Sequence, residues 1–370
     1  MLHRPFRGKT GVHLLRSVLV PAALLAGCGH QDGFPTGDVP DAGPRSTIPP
    51  IRLTLALGED LAPAWLAGDA SLAYSFRRET SGGTDRCLGQ LPPDGGTRFL
   101  EKCILSGPDA DSLHALGPVA IGPANRAAWV EARSLRNRVA PDKGGIRIGS
   151  LAPADTGAMV RTLPYLAPDG IVHMTATHLG WLGGDLLSYI GADVFYVAPC
   201  QGCKVDTVLI SRNAVLLDLS SEPAGLQLIP NTAEVTSLFP SGDGLSVYYT
   251  RAGDTRVYQQ VLSSGAEVLI HDFGASGIAR DAQIQGNVLT AVVGGKVRYF
   301  NDALLGPRQL DSGGVLVRVD LTDGAELPLP FAPGLVQHPA LSADGRSVVV
   351  EGIDTGGPPP RTDLWLYRLP

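Results

Sequence analysis

Five cysteines are spread over 370 residues, and four of them fall into two pairs whose spacing suits bond formation. Cys200-Gln201-Gly202-Cys203 has the spacing of thiol–disulfide exchange motifs. That chemistry wants the first thiol at a helix N-terminus, where the dipole lowers its pKa. Here "DVFYVA" and "KVDTVLI", both strand-like, flank the pair, so a staple across a hairpin turn is expected. Lys204 rules out a haem attachment motif, and zinc would need two further ligands that the spacing does not supply. Cys87 and Cys103 enclose "LGQLPPDGGTRFLEK", whose midpoint falls on Asp94-Gly95. Two cysteines placed evenly about a turn face each other across a hairpin, and bridging them would stabilise it by about 3 kcal/mol.

No linear catalytic signature is present. The chain lacks a Gly-x-Ser-x-Gly elbow, a His-Glu-x-x-His pair, a phosphate loop and a dinucleotide fingerprint. "GASGIAR" at 274–280 comes nearest to a nucleophile turn and fails at its spacing. No catalytic residue, metal or cofactor is assigned on this basis. The remaining candidates are His178 in "ATHLGW", Glu234 in "TAEVTS" and His338 in "VQHPAL", which precede three copies of a repeated turn. They could form a ring of polar groups that binds a ligand, or even a metal. The plainer alternative is hydrogen bonding to neighbouring loops.

The N-terminus addresses where such chemistry would take place. Arg4, Arg7, Lys9 and Arg16 occur with no acidic residue, and "SVLVPAALLAG" follows, too short to span a bilayer stably. That is the layout of an export signal. Leu25-Ala26-Gly27-Cys28 resembles the lipobox of bacterial lipoproteins, which implies cleavage after residue 27, acylation of Cys28 and attachment to a lipid bilayer. By the same resemblance, Gly29 directs the protein to the outer membrane where the cell has one. Removing residues 1–27 leaves 26 basic against 36 acidic side chains, a net charge of −10. An acidic surface argues against nucleic acid as a partner. Residues 29–50, rich in Gly, Pro and Asp, are expected to form an unfolded tether with a reach of about 25 Å. Four cysteines remain in the exported chain after lipidation, consistent with two disulfides, Cys87–Cys103 and Cys200–Cys203.

The elements that must position His178, Glu234 and His338 come from internal repetition. Trp65-Leu66-Ala67-Gly68-Asp69 recurs as Trp181-Leu182-Gly183-Gly184-Asp185, and related turns centre on Asn125, Asp243, Asn287 and Asp344. Each unit reads as strand, tight turn, strand. Asp344-Gly345 suits a two-residue turn and is followed by the β-branched run Val348-Val349-Val350. Because Gly345 follows Asp344 directly, Asp344 is expected to be a turn residue and not part of a sialidase-type Asp-box. No segment after residue 50 carries sustained, capped helical periodicity, although 109–117 could form a short turn. "LSADGRSVVVEGID" with "TDLWLYRLP" resembles the repeat of TolB-like, WD-repeat-like propellers. This resemblance implies an all-β fold over residues 51–370, a six-bladed β-propeller of four-stranded antiparallel blades. The last repeat lacks an outer strand, and "IRLTLAL" at 51–57 is otherwise unemployed, so 51–57 is expected beside 363–369, closing the ring.

Two functions fit this reading. One is a membrane-anchored, non-catalytic binding or scaffold module in the cell envelope, with a protein or glycan partner. The other is an exported carbohydrate- or peptide-active enzyme whose acid and base come from different blades and so leave no linear signature.

Overall fold

The computed structural model describes residues 49–55, 59–80, 83–104, 112–135, 143–163, 165–166, 172–197, 206–302, 306–312, 314–354 and 361–370. Cys28, the tether as far as residue 48, and the Cys200/Cys203 pair lie outside them. The described residues are β apart from turns, loops and three single-turn 3-10 segments, Ala67–Asp69, Pro123–Asn125 and Gly274–Ser276. The expected turn over 109–117 is instead strand from residue 112. Ser112–Ile121 pairs with Ala127–Leu135 and buries Ala115 and Leu116.

The repeated turns follow from local hydrogen bonding. Asp344 accepts from the Ser342 hydroxyl at 2.6 Å and from the Arg346 N–H at 2.9 Å, and the Ser342 Oγ accepts the Ser347 N–H at 2.9 Å. Gly345 occupies φ 69°, a region that a Cβ disfavours. Ser241, Asp243 and Ser246 repeat the arrangement, with Ser241 Oγ to Asp243 at 2.5 Å and Leu245 N–H to Asp243 at 2.9 Å. Asp344 is therefore a turn residue. Beyond its turn, Val348, Val349 and Val350 are fully buried.

Strands follow chain order across each antiparallel sheet, as in Val235–Pro240, Ser246–Arg251, Arg256–Val261 and Glu267–Asp272. The sheet of Gly334–Leu341, Ser347–Asp354 and Arg361–Arg368 takes its fourth strand from the opposite end of the chain. Ile51 pairs with Leu366 and Arg52 with Trp365. The Leu53 N–H donates to the Leu364 carbonyl at 2.8 Å, and the Thr54 hydroxyl accepts the Leu364 N–H at 2.9 Å. A further hairpin, Lys296–Asp302 with Gly306–Ser312, is inserted between Val288–Val293 and Val315–Asp320 and has no counterpart in the repeat.

Among the described residues, hydrogen bonding does not divide the strands into six separate four-stranded sheets. It forms four sheets of four or five strands, the inserted hairpin, and one eight-stranded sheet covering Asp60–Trp65 to Ala158–Thr162. The eight strands are continuous because Arg86 and Ala115 form a single parallel bridge between Gly83–Leu91 and Ser112–Ile121. The apolar cores lie mainly between neighbouring sheets; one joins Leu182, Ile190 and Ala214 to Val235, Val247 and Tyr249. The first strands of successive units pack side by side, and the last of them, Gly334–Leu341, packs on the first, Asp60–Trp65. The fold is an all-β propeller.

Candidate functional site

The first strands enclose a central cavity of about 460 Å³. The pairing with the second strand slips in all six, across one residue between Val235 and Ser237 and across two residues between Leu61 and Ala64, Leu116 and Val119, Thr177 and Gly180, Arg280 and Gln283, and Gln337 and Ala340. Each of the five slips across two residues contains a residue with positive φ that lines the cavity: Ala62 (51°), Gly117 (123°), His178 (52°), Asp281 (48°) and His338 (47°). A bulge re-aims a side chain, and a non-glycine residue holds such a φ only where its surroundings impose it. Pro63, Pro118 and Pro339 follow three of these residues. Proline lacks a ladder donor and is tolerated in a sheet at a bulge.

The bulges bring His178, Asp281 and His338 together, with one donor atom from each within 4.8 Å of the others. His178 Nε2 lies 3.4 Å from Asp281 Oδ1, and the His338 main-chain N–H donates to Asp281 Oδ2 at 3.1 Å. The two imidazoles are edge-on, with centroids 5.9 Å apart. Thr177 Oγ1 lies 3.2 Å from His178 Nδ1, and Glu351 Oε1 lies 3.0 Å from His338 Nδ1. Glu351 is fully buried, and its carboxylate also accepts from the Ala62 N–H at 2.5 Å and the Gln337 amide at 2.8 Å. Burial pushes the Asp281 carboxyl up, but His338 and His178 outweigh it and hold the group well below the usual carboxylate range. Asp281 is thus a buried anion between two imidazoles.

Of the three residues expected to form a ring of polar groups, the fold joins His178 and His338 and leaves Glu234 out. Glu234 is exposed and does not line the cavity; its main chain bonds Arg212 and Ala252, while Val235, Thr236 and Ser237 face inward. The sequence reading missed Asp281 and Glu351. Asp281 lies six residues before Asn287, as His338 lies six before Asp344, whereas Glu234 lies nine before Asp243. Strict alignment of the repeats on their turns would have selected Asp281. Trp65, Trp181 and Phe239 add aromatic surface to the cavity.

Cys87, on Gly83–Leu91, and Cys103, directly after the paired strand Leu100–Lys102, form the expected disulfide, with Cα atoms 4.6 Å apart.

No protein-family model matches the sequence, and no curated protein matches it. Solved structures resemble it at low identity. TolB from Acinetobacter baumannii is 16% identical with a TM-score of 0.47, covering 81% of this chain, which spans only 64% of that protein. Oligogalacturonate lyase from Vibrio parahaemolyticus is 10% identical, covers 86% of this chain and 93% of its own, and has a TM-score of 0.49. A gluconolactonase from Xanthomonas campestris is 17% identical, covers 90% and 99%, and has a TM-score of 0.48. Fold and site together define a class, an all-β propeller with a charged group of side chains in its central cavity.

Proposed function

We propose that this protein is a membrane-tethered binding module of the cell envelope, anchored through acylated Cys28, whose central cavity takes a small polar ligand such as a glycan fragment. The ring is read as six blades. Dividing the eight-stranded sheet at its lone Arg86–Ala115 bridge yields two four-stranded units, and the other sheets supply four more. The observation that carries the binding role is the convergence of His178, Asp281, His338 and Glu351 in a 460 Å³ cavity with Trp65 and Trp181 in its wall. A concave site with apolar walls and a few convergent polar groups is the usual form of a small-molecule site. Aromatic faces suit the apolar face of a sugar, and the buried carboxylates suit its hydroxyls.

A second reading, a carbohydrate- or peptide-active enzyme, is favoured by one feature. The buried Asp281 carboxylate adjoins the His178 imidazole and the buried Glu351 carboxylate adjoins that of His338, two acid–imidazole pairs able to hold and pass a proton.

Tryptophan fluorescence titration with envelope-type glycans and peptides, on wild type and Asp281→Asn, tests the binding role. Saturable change in wild type, lost in the variant, is expected; identical titrations of both would overturn the cavity as the site. Incubation with the bound compound then separates the readings, because turnover would make the protein an enzyme. For the anchor, Cys28→Ala should move the protein from the membrane to the soluble fraction, and unchanged fractionation would refute it.

A further inference from the structure

We propose that His178, Asp281 and His338 bind a divalent transition-metal ion at the cavity, leaving coordination positions open to the ligand; this rests on the reading of the cavity as a binding site. Two imidazoles and one carboxylate are a common donor set for zinc and for first-row ions such as iron and cobalt. The spacing favours an ion over an internal hydrogen bond. At 3.4 Å, His178 Nε2 and Asp281 Oδ1 are too far apart for a strong imidazole–carboxylate bond, which would sit near 2.7–2.9 Å. Ligand atoms placed at about 2.0–2.1 Å in tetrahedral geometry are about 3.3 Å apart. His338 need move in only modestly, since its donor atom is within 4.8 Å of the other two.

The surroundings are those of a prepared site. Metal-bound imidazoles characteristically have an oxygen partner at the other nitrogen, which fixes the ring and the tautomer. Thr177 occupies that place at His178 and Glu351 at His338, leaving Nε2 of each ring as the ligating atom. The second oxygen of Asp281 is held by the His338 N–H. All three side chains project from positive-φ bulges on separate strands, and the bulges turn them toward one another. The Asp281 and Glu351 carboxylates would offset the charge of a divalent ion.

Co2+ titrated into the chelator-treated full chain, followed by visible absorption and equilibrium dialysis, tests the site. One equivalent per chain is expected, with ligand-field bands of four- or five-coordinate cobalt. Asp281→Asn and His178→Ala should weaken binding by about 100-fold or more, and Glu351→Gln by about 10–100-fold. His271→Ala, whose imidazole lies 3.0 Å from Glu326 elsewhere, should leave it unchanged. Circular dichroism checks each variant's fold, and His178→Ala, at a partly exposed ring, carries the test if Asp281→Asn does not fold. Failure of folded wild type to bind, or equal binding by His178→Ala, overturns the proposal. Fluorescence titration in chelator keeps the two readings apart: ligand binding without cobalt binding rejects the metal alone, whereas cobalt binding without any ligand response rejects the ligand cavity and leaves a metal site.

Discussion

The indole N–H of Trp65 donates to the carbonyl of Ala340 at 2.8 Å, joining residues 275 positions apart. Trp181 makes the same bond to Ala120 at 3.2 Å. Each tryptophan thus reaches the first strand of the preceding repeat unit in the ring. The aspartate of the same repeat adds to this at Asp69, whose carboxylate accepts the N–H groups of Ala343 at 3.0 Å and Asp344 at 3.3 Å. The repeated Trp-Leu-x-Gly-Asp motif is a clamp between sheets, and at Trp65 it fastens the first unit to the last. Trp65→Phe keeps most of the ring and removes the donor. Urea unfolding should show a loss of about 1–2 kcal/mol, the size expected for stranding a carbonyl. An unchanged midpoint would mean that the bond contributes nothing to closure.

Closure also has a pH signature. Asp60 is buried beside Asp363, and desolvation, with a smaller push from the Asp363 charge, raises its carboxyl to about 7 despite a bond from Thr54. A carboxyl whose folded pKa exceeds its unfolded value holds its proton in the folded state while the unfolded chain has released it. Its contribution is greatest below about pH 4 and is lost as pH rises toward 7. Asp60→Asn should therefore remove a decline in stability between about pH 4 and 7, amounting to as much as about 4 kcal/mol. Parallel pH profiles for wild type and variant would contradict this.

The Cys87–Cys103 bridge closes a short loop within the first unit. Replacing both cysteines with alanine should cost about 3 kcal/mol and lower the melting temperature by several degrees. A variant as stable as wild type would show that the paired strands hold the hairpin unaided.

Asp243 and Asp344 carry the same turn in two units, and hydrogen bonds from Ser241 and Ser342 hold both carboxyls below their ordinary range. Alanine at either position should lower the denaturant unfolding midpoint slightly without altering ligand binding. Loss of binding in folded Asp344→Ala would give this residue a role that the turn geometry does not.

These turns explain what could be read from the sequence. Asp344-Gly345 is written into the chain because its conformation depends on adjacent residues, and closure was legible because Ile51–Arg52 had no partner within its own unit. The cavity was harder. His178 and His338 stand before well-kept turns, but Asp281 precedes Asn287, where the repeat has decayed. Glu234 drew notice as a charge near a turn although its offset places it outside the bulge. Glu351 sits directly after Val348-Val349-Val350, and a carboxylate within a fully buried strand was a signal that a polar partner must lie opposite. Its partner, His338, lies on the neighbouring strand, beyond the reach of any local pattern.

The most direct measurement of the central claim is a nitrogen-15 NMR titration of histidine side chains with a cavity ligand found by fluorescence. The predicted result is that the His178 and His338 imidazole resonances shift or broaden in step with binding while His271 stays unmoved. Saturable binding that leaves both cavity imidazoles unperturbed would contradict the account and place the ligand elsewhere on the propeller.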